Sequence, residues 1–321
     1  MESWVESSRY IERERVAIPT FPEFIDVASV TREAYNSALP AHEEASDFQW
    51  FSLRSWIPSA RCSLFGDSFV IDFADYHDSD RRFLSFSGGM NPDEVAHSLL
   101  DWSLDAGYGS TLELVPESVA LKLSDSFVIH EDHENHDYLY SSSMTSEAVH
   151  PRYKRFRRVR SSIERNFGPR VRFVALLPLS NYMTRIVEIT EKWASDQGYD
   201  VDAVDELEAV GRFLGVVREE GEPDTIRASG LLLDDELVAY SIDEVIRASF
   251  AVGHFGHAVR SIPNGSTYLH WKVLDSLNRA GVQWLNDEQD LGQPGLRTHK
   301  TMLQPERMVR KFRVSRQTES V

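Results

Sequence analysis

Cysteine is nearly absent: Cys62 stands alone in 321 residues. No internal disulfide can therefore staple the chain, and a reducing compartment suits it. Long apolar runs are missing as well. No stretch approaches the ~18 consecutive apolar residues that span a bilayer, and the opening MESWVESSRYIERERV is charged, without the apolar core of a secretory signal. These absences predict a cytoplasmic protein with no upstream membrane domain, although peripheral contact with a membrane stays open. Lysine is scarce, 6 against 28 arginines, which suits bidentate phosphate contacts but follows equally from GC-rich coding. No G-x-S-x-G, Walker loop or C-x-x-C occurs, so serine hydrolase, P-loop and thiol chemistry have no support.

What is present is ample for packed cores: 41% hydrophobic residues, with 17 Phe, 11 Tyr and 7 Trp. The length fits two domains of about 150 residues each. A net charge of −17 argues at first against nucleic acid. Its distribution argues the other way. Residues 151–172 hold nine cations and one acid (Glu164), and 297–316 hold seven and one (Glu306), so these segments carry +14 against −31 for the rest. An acidic body with two basic segments repels polyanions everywhere except at one surface.

Two similar halves follow a polar arm over 1–18. In the first, spanning 19–149, SLFGDSFVIDFADY and RRFLSFSGG read as hairpin strands. A helix follows, with Asn91 at the N-cap, Pro92 at N1, Val95, Leu99 and Trp102 on one face, and Gly107 at its end. STLELVPE is the next strand. In the second, spanning 150–316, TIRASGLLL and ELVAYSIDEVI flank a turn at Asp234-Asp235, SFAVGHFGHAV is a third strand, and a helix from about Ser266 to Ala280 leads through Gly281 into VQWLNDE. LLDWSLDAGYGSTLELVPE against VLDSLNRAGVQWLNDE repeats the order helix, glycine, strand, carboxylate. Val204, Leu207, Val210, Phe213, Leu214 and Val217 form a helical stripe, as do Ile186, Ile189 and Trp193, and both are expected in the core. The fold class is therefore mixed α/β.

The chemistry concentrates in LNDEQDLGQPGLRTHK, residues 285–300. Asn286, Asp287, Glu288 and Asp290 would project from a strand end, while Gly292, Pro294 and Gly295 turn the backbone. Arg297 and Lys300 return positive charge to the same place. Acids, an amide and cations at a strand terminus describe an active-site rim, although Asp290 and Arg297 would equally serve as an ion pair bracing the loop. The basic segment HPRYKRFRRVRSSIERNFG places Phe156, Val159, Ile163 and Phe167 on one helical stripe and Lys154, Arg157, Arg158 and Arg165 on other faces. It would dock by one side and present cations on the rest.

These motifs resemble one family. The run from Asn286 to Lys300 is similar to the N-x-E-x-D-L-G-x-x-G-L-R-x-x-K signature of soluble relatives of the phosphatidylglycerol lysyltransferase C-terminal domain. The basic helix, and NHDYLYS before it, resemble further patterns of that family over about residues 20–315. The resemblance implies two tandem acyl-CoA N-acyltransferase (GNAT)-like domains. It implies aminoacyl transfer from an aminoacyl-tRNA, bound through segments 151–172 and 297–316, to an unidentified acceptor such as a lipid head group, peptide or small metabolite. An activated ester needs no covalent nucleophile, only alignment, proton removal and oxyanion stabilisation. Glu288, Asp290 and Asn286 are the expected catalytic groups. Arg297, Lys300, Lys154, Arg157, Arg158, Tyr138, His254 and Tyr268 are the expected substrate-binding groups.

CoA-dependent GNAT enzymes cradle pyrophosphate with a glycine-spaced loop. RSIPNGSTYLHW lacks that spacing, so no cofactor is expected and CoA is disfavoured, although a helix N-terminus binds phosphate regardless. The alternatives are a CoA-dependent N-acyltransferase and a catalytically silent tandem-GNAT module binding RNA or a peptide. His130, His133 and His136 lie among acids in HEDHENHD, but their spacing fits neither one helix face nor a known zinc pattern, so no metal is expected. His257 reads as a packed or hydrogen-bonded histidine.

Overall fold

The structure, a computed structural model, describes residues 17–76, 78, 80–147, 150–198 and 205–317. The expected polar arm lies outside these residues but for its last two, and Val204 lies outside them too. In the first half, β1 (Ile25–Asp26), α1 (Arg32–Ala38) and α2 (Trp50–Trp56) precede β2 (Arg61–Phe65), β3 (Ser68–Ala74) and β4 (Arg82–Gly88). These four strands form an antiparallel sheet in chain order. Phe65 pairs with Ser68 across a two-residue turn in which Gly66 takes φ +59°, so the segment read as one strand is itself a hairpin. Next come α3 (Pro92–Asp105), β5 (Thr111–Pro116), α4 (Glu117–Ala120), β6 (Phe127–Glu131) and β7 (Asp137–Ser141). Asn91 and Pro92 start α3 as expected, but the Asn91 side chain makes no capping bond.

The second half runs α5 (Lys154–Asn166), β8 (Val171–Ala175), α6 (Met183–Gln197), α7 (Asp205–Glu220), β9 (Ile226–Leu233), β10 (Glu236–Arg247), β11 (Phe250–Ala258), α8 (Gly265–Arg279), β12 (Trp284–Asn286), α9 (Pro294–Met302), β13 (Arg307–Val309) and β14 (Lys311–Arg316). Asp234 and Asp235, at φ +51° and +71°, make the tight β9–β10 turn, the primed-turn geometry that matches strand twist. α8 then crosses over to bring β12 parallel to β11, as two parallel neighbours require, since a tight turn can only join antiparallel strands. In each half a helix ends at a left-handed glycine, Gly107 (φ +78°) or Gly281 (φ +80°), before its strand. That is the repeat visible in the letters.

Sheet membership does not follow the 149/150 division. β7 pairs with β12 and β13 inside a seven-stranded sheet, β13-β7-β12-β11-β10-β9-β8. The C-terminal β14 instead runs between β5 and β6 of the first half. Lys311, which opens β14, has no solvent exposure and lies between the carboxylates of Asp47 and Asp137. Asp137 also accepts from the Ser46 amide at 2.8 Å and from Asn286 Nδ2 at 2.8 Å. Asp47 accepts from Tyr76 Oη at 2.6 Å and from Gln289 Nε2 at 3.2 Å. A buried ammonium is costly unless paired and hydrogen-bonded; here two acids lift the Lys311 pKa against the effect of burial. Of the expected core stripes, Ile186, Ile189, Val210, Phe213, Leu214 and Val217 are buried, while Leu207 and Trp193 at their margins are part-exposed.

Candidate active site

The turn that follows β12 sends its polar residues in three directions. Asn286 is fully buried and structural: its Nδ2 donates to the Glu44 carbonyl at 2.7 Å as well as to Asp137, and its Oδ1 accepts from the Glu288 amide at 2.8 Å. Glu288 sits at φ +56°, a conformation that costs a non-glycine residue roughly 1–3 kcal/mol and persists only where its surroundings fix it. Asn286 fixes it from one side, and the Tyr138 amide, donating to the Glu288 carbonyl at 3.1 Å, from the other. The Glu288 side chain turns toward α2, where Ser52 Oγ donates to it at 2.9 Å. Asp290 points away to a brace. Arg297 donates to both of its carboxylate oxygens at 3.0 Å, the Gly292 amide donates at 2.9 Å, and Tyr138 Oη donates as well.

That brace explains much of the motif. Pro294 and Gly295 are not turn residues; they are the first residues of α9, and only Gly292, at φ +72°, serves the turn. α9 carries Arg297 back onto Asp290 and Lys300 back onto the main chain. The Lys300 ammonium is buried and donates to the carbonyls of Asp287 and Gln289. Although burial alone raises a carboxyl pKa, Arg297 and Tyr138 outweigh it and hold Asp290 below the ordinary value.

His254 gathers a second group. Between the pairs Ile242–Phe255 and Asp243–Gly253 the register of β10 and β11 shifts by one residue, leaving His254 as the extra residue of a β-bulge. A bulge re-aims side chains. The successive rings of His254 and Phe255 both lie against Phe213 of α7, with centroids 5.9 and 5.6 Å away, which regular strand alternation would forbid. His254 Nε2 lies 3.3 Å from Glu244 and Nδ1 lies 3.6 Å from Glu288. Burial pushes its pKa down, but the two carboxylates outweigh burial and lift it to about 9. Glu244 is met in turn by Arg32 at 3.4 Å. Charge therefore alternates along Arg32, Glu244, His254 and Glu288, and burial raises the Glu288 pKa despite its histidine partner.

On β10 itself, Asp243 and Ser241 lie two residues apart on one face, with Ser241 Oγ 3.1 and 3.0 Å from the carboxylate oxygens. Asp243 and Asp287 converge over Gly253: a Cβ there would lie 3.2 Å from the first carboxylate and 3.4 Å from the second. Gly253 and Asp287 are part-exposed, while Asp243 is buried. Burial, with Asp287 adding to it, lifts Asp243 to about 7; burial also raises Asp287 against Lys300 and His299. Two carboxyls of elevated pKa, one within β10 and one just past β12, supply a proton acceptor near neutrality and a seat for an ammonium group. Sequence reasoning passed over Asp243, Glu244 and Ser52. The available signal was the Asp-Glu pair inside the apolar strand ELVAYSIDEVI, since acids are seldom buried without a partner.

Other expected residues are spread more widely. Tyr268 is buried in the first turn of α8 beneath Lys272, whose ammonium lies 5.4 Å from the ring. His257 is hydrogen-bonded to Glu206 at 2.9 Å and packs on Trp193. α5 docks through Phe156, Val159 and Ile163 and leaves Lys154, Arg155, Arg158 and Arg165 exposed. Arg157 donates to the His150 carbonyl at 2.7 Å. The cations of 297–316 are committed internally. Besides Arg297, Lys300 and Lys311, Arg307 pairs with Glu44, Arg310 with Glu117, Arg313 with Asp132 and Arg316 with Asp101. No helix among the described residues is long and apolar enough to cross a membrane.

The comparison with curated proteins finds no match. Among solved structures, a conserved protein of unknown function from Bacteroides thetaiotaomicron is similar with a TM-score of 0.76 at 18% identity, covering 92% of this chain and 99% of that one. The C-terminal domain of a putative lysylphosphatidylglycerol synthetase from Agrobacterium fabrum gives 0.61 at 12%, covering 90% and 93%. L-PGS from Bacillus licheniformis gives 0.61 at 12%, covering 91% and 93%. These are likenesses of fold. The family described as phosphatidylglycerol lysyltransferase, C-terminal, matches residues 65–315, which takes in both hairpin–helix–strand units, the bulged β11 and the whole 285–300 motif. The chain belongs to that family, a transferase family, and its own fold is mixed α/β.

Proposed function

We propose that this protein moves an aminoacyl group from an aminoacyl-tRNA to an acceptor bearing a hydroxyl or amine. The observation that carries the reading is the convergence of Asp243 and Asp287 over Gly253, which has no side chain to come between them. An aminoacyl ester brings a free α-ammonium and a reactive carbonyl, and two carboxyls suit the first while leaving a proton acceptor for the second. The acceptor's lone pair attacks the carbonyl carbon, its proton passes to the carboxyl pair, and the ester C–O bond breaks. The terminal ribose oxygen leaves with a proton. Behind burial, Asp287 adds to the lift on Asp243, so the proton-accepting role is given to the pair and not to either acid alone. The exposed cations of α5 support a polyanionic donor; burial lowers the His299 pKa, and Arg155 of this helix adds a small part to that lowering. Polyanion contact is therefore assigned to α5; the 297–316 cations are already engaged.

The test is transfer of a radiolabelled amino acid from a pool of charged tRNAs into a cell extract, with product detection by mass spectrometry. Asp243→Asn and Asp287→Asn should each lower transfer by ~10²-fold or more, and the wild-type rate should rise with pH through about 7 as Asp243 ionises. Full activity in both variants removes the pair from the site. Transfer from acyl-CoA, with a melting-temperature rise on CoA addition, favours a CoA-dependent N-acyltransferase instead. Salt-dependent RNA binding without any transfer favours a silent binding module.

A further inference from the structure

We propose that Glu131, His133 and His136 form a binding site for a divalent transition-metal cation, with zinc the best chemical match. The connector between β6 and β7 folds through a short 3-10 turn at His133–Asn135, bringing one ligand atom from each residue within 4.8 Å of the others. The expectation of no metal rested on His130, His133 and His136. His130 instead pairs with Arg313 across the β6–β14 ladder, and Glu131 takes the third place. Glu131 Oε1 lies 3.7 Å from His136 Nε2 and 3.9 Å from His133 Nδ1.

The buried histidine is the second observation. His136 is 4% exposed, and its Nε2 is buried with no hydrogen-bond partner. A buried polar nitrogen without a partner is uncommon and calls for an explanation such as an ion. The ring also lies beside the Lys311 main chain, and a bond from Nδ1 to a carbonyl would leave the lone pair on Nε2, the orientation that metal-bound histidines commonly show. Ligands at ~2.0–2.1 Å from a tetrahedral centre lie roughly 3.3 Å apart, so the present separations need closing by only a few tenths of an ångström to somewhat over one. His133, whose side chain is 74% exposed, is free to swing in. Arg310 also reaches Glu131, at 3.6 Å, but keeps Glu117 as a partner if the carboxylate turns to a cation. Two imidazoles and one carboxylate select zinc-like cations over magnesium or calcium, which prefer oxygen donors.

The site would brace the turn that touches the family motif. Glu134, inside it, holds its carboxyl against Gly292, where a Cβ would come within 2.9 Å of Glu134 Cδ. Glu134, Asn135 and Leu291 line one small cleft with Tyr76. The test uses the full chain dialysed against chelator and titrated with zinc chloride by calorimetry, alongside thermal melts. We expect one equivalent to bind with micromolar or tighter affinity and the melting temperature to rise. Because His136 is buried, the exposed positions carry the test. His133→Ala and Glu131→Gln should each weaken binding at least about tenfold, and His130→Ala should leave it unchanged. Absence of stoichiometric uptake, uptake indifferent to His133→Ala and Glu131→Gln, or equal weakening by His130→Ala overturns the site.

Discussion

Glu288 and Asp290 are two residues apart and chemically opposite. Burial favours the neutral form of Glu288, so Glu288→Gln replaces a reluctant carboxylate with a neutral near-isostere. It should melt close to wild type; if this carboxyl also moves protons, transfer falls by ~10²-fold. Asp290 is needed as an anion by Arg297, Tyr138 and the Gly292 amide. Asp290→Asn should therefore destabilise the fold by about 1–3 kcal/mol in denaturant melts, with any loss of transfer tracking the loss of folded protein. A selective rate defect in soundly folded Asp290→Asn would instead make it catalytic. His254 gives a pH signature. Its folded pKa, about 9, lies above the ordinary 6.5. Its contribution is thus fully present below pH 6.5 and lost as pH rises through about 9. Melting temperature should fall over that window, and less so in Glu244→Gln; an unchanged profile in that variant would place the titration elsewhere.

At the scale of elements, α5 shows how an amphipathic sequence sorts itself. The apolar stripe is buried, with Phe156 packed against Trp271 of α8 at 5.6 Å between centroids, and the cations are left outside. Lys154 and Arg158 are exposed and form no ion pair among the described residues. Lys154→Glu with Arg158→Glu should weaken tRNA binding and reduce its salt dependence by roughly one unit of slope per lost phosphate contact, without changing the melting temperature. Filter binding across a salt series reads both, and an unaltered slope would leave α5 a merely solvated face. The bulged β11 is the other informative element, because one extra residue puts His254 and Phe255 on the same side and so creates the Glu244–His254–Glu288 row.

For the whole molecule, β14 and Lys311 tie the ends together. Lys311→Met leaves Asp47 and Asp137 facing each other without their cation, and breaking a buried pair in this way costs about 3–5 kcal/mol. It should lower the denaturation midpoint further than Asp290→Asn does. A fragment ending at residue 149 lacks β14, leaving β5 and β6 without the strand between them. It should show no cooperative melt, whereas a sharp transition would establish the first half as an independent unit.

Periodicity, turn residues and the repeated helix–glycine–strand order determined the elements, because apolar spacing and left-handed turns are local properties. The α5 stripe, the Asp234-Asp235 turn and α8 with its closing Gly281 were all legible this way. The 285–300 motif marked the right turn of chain, but its letters did not say where each side chain would go. Tertiary structure decided that Asn286, Arg297 and Lys300 brace, that Glu288 turns to His254, and that Asp243 meets Asp287 across a strand that neither belongs to. It also decided the fate of charge. The cations of 297–316 looked like a surface for polyanions and are engaged instead, Lys300 by main-chain carbonyls, Arg297 by nearby Asp290 and the others by acids distant in sequence, since the energy of a charge depends on what lies beside it in space and on how much water remains.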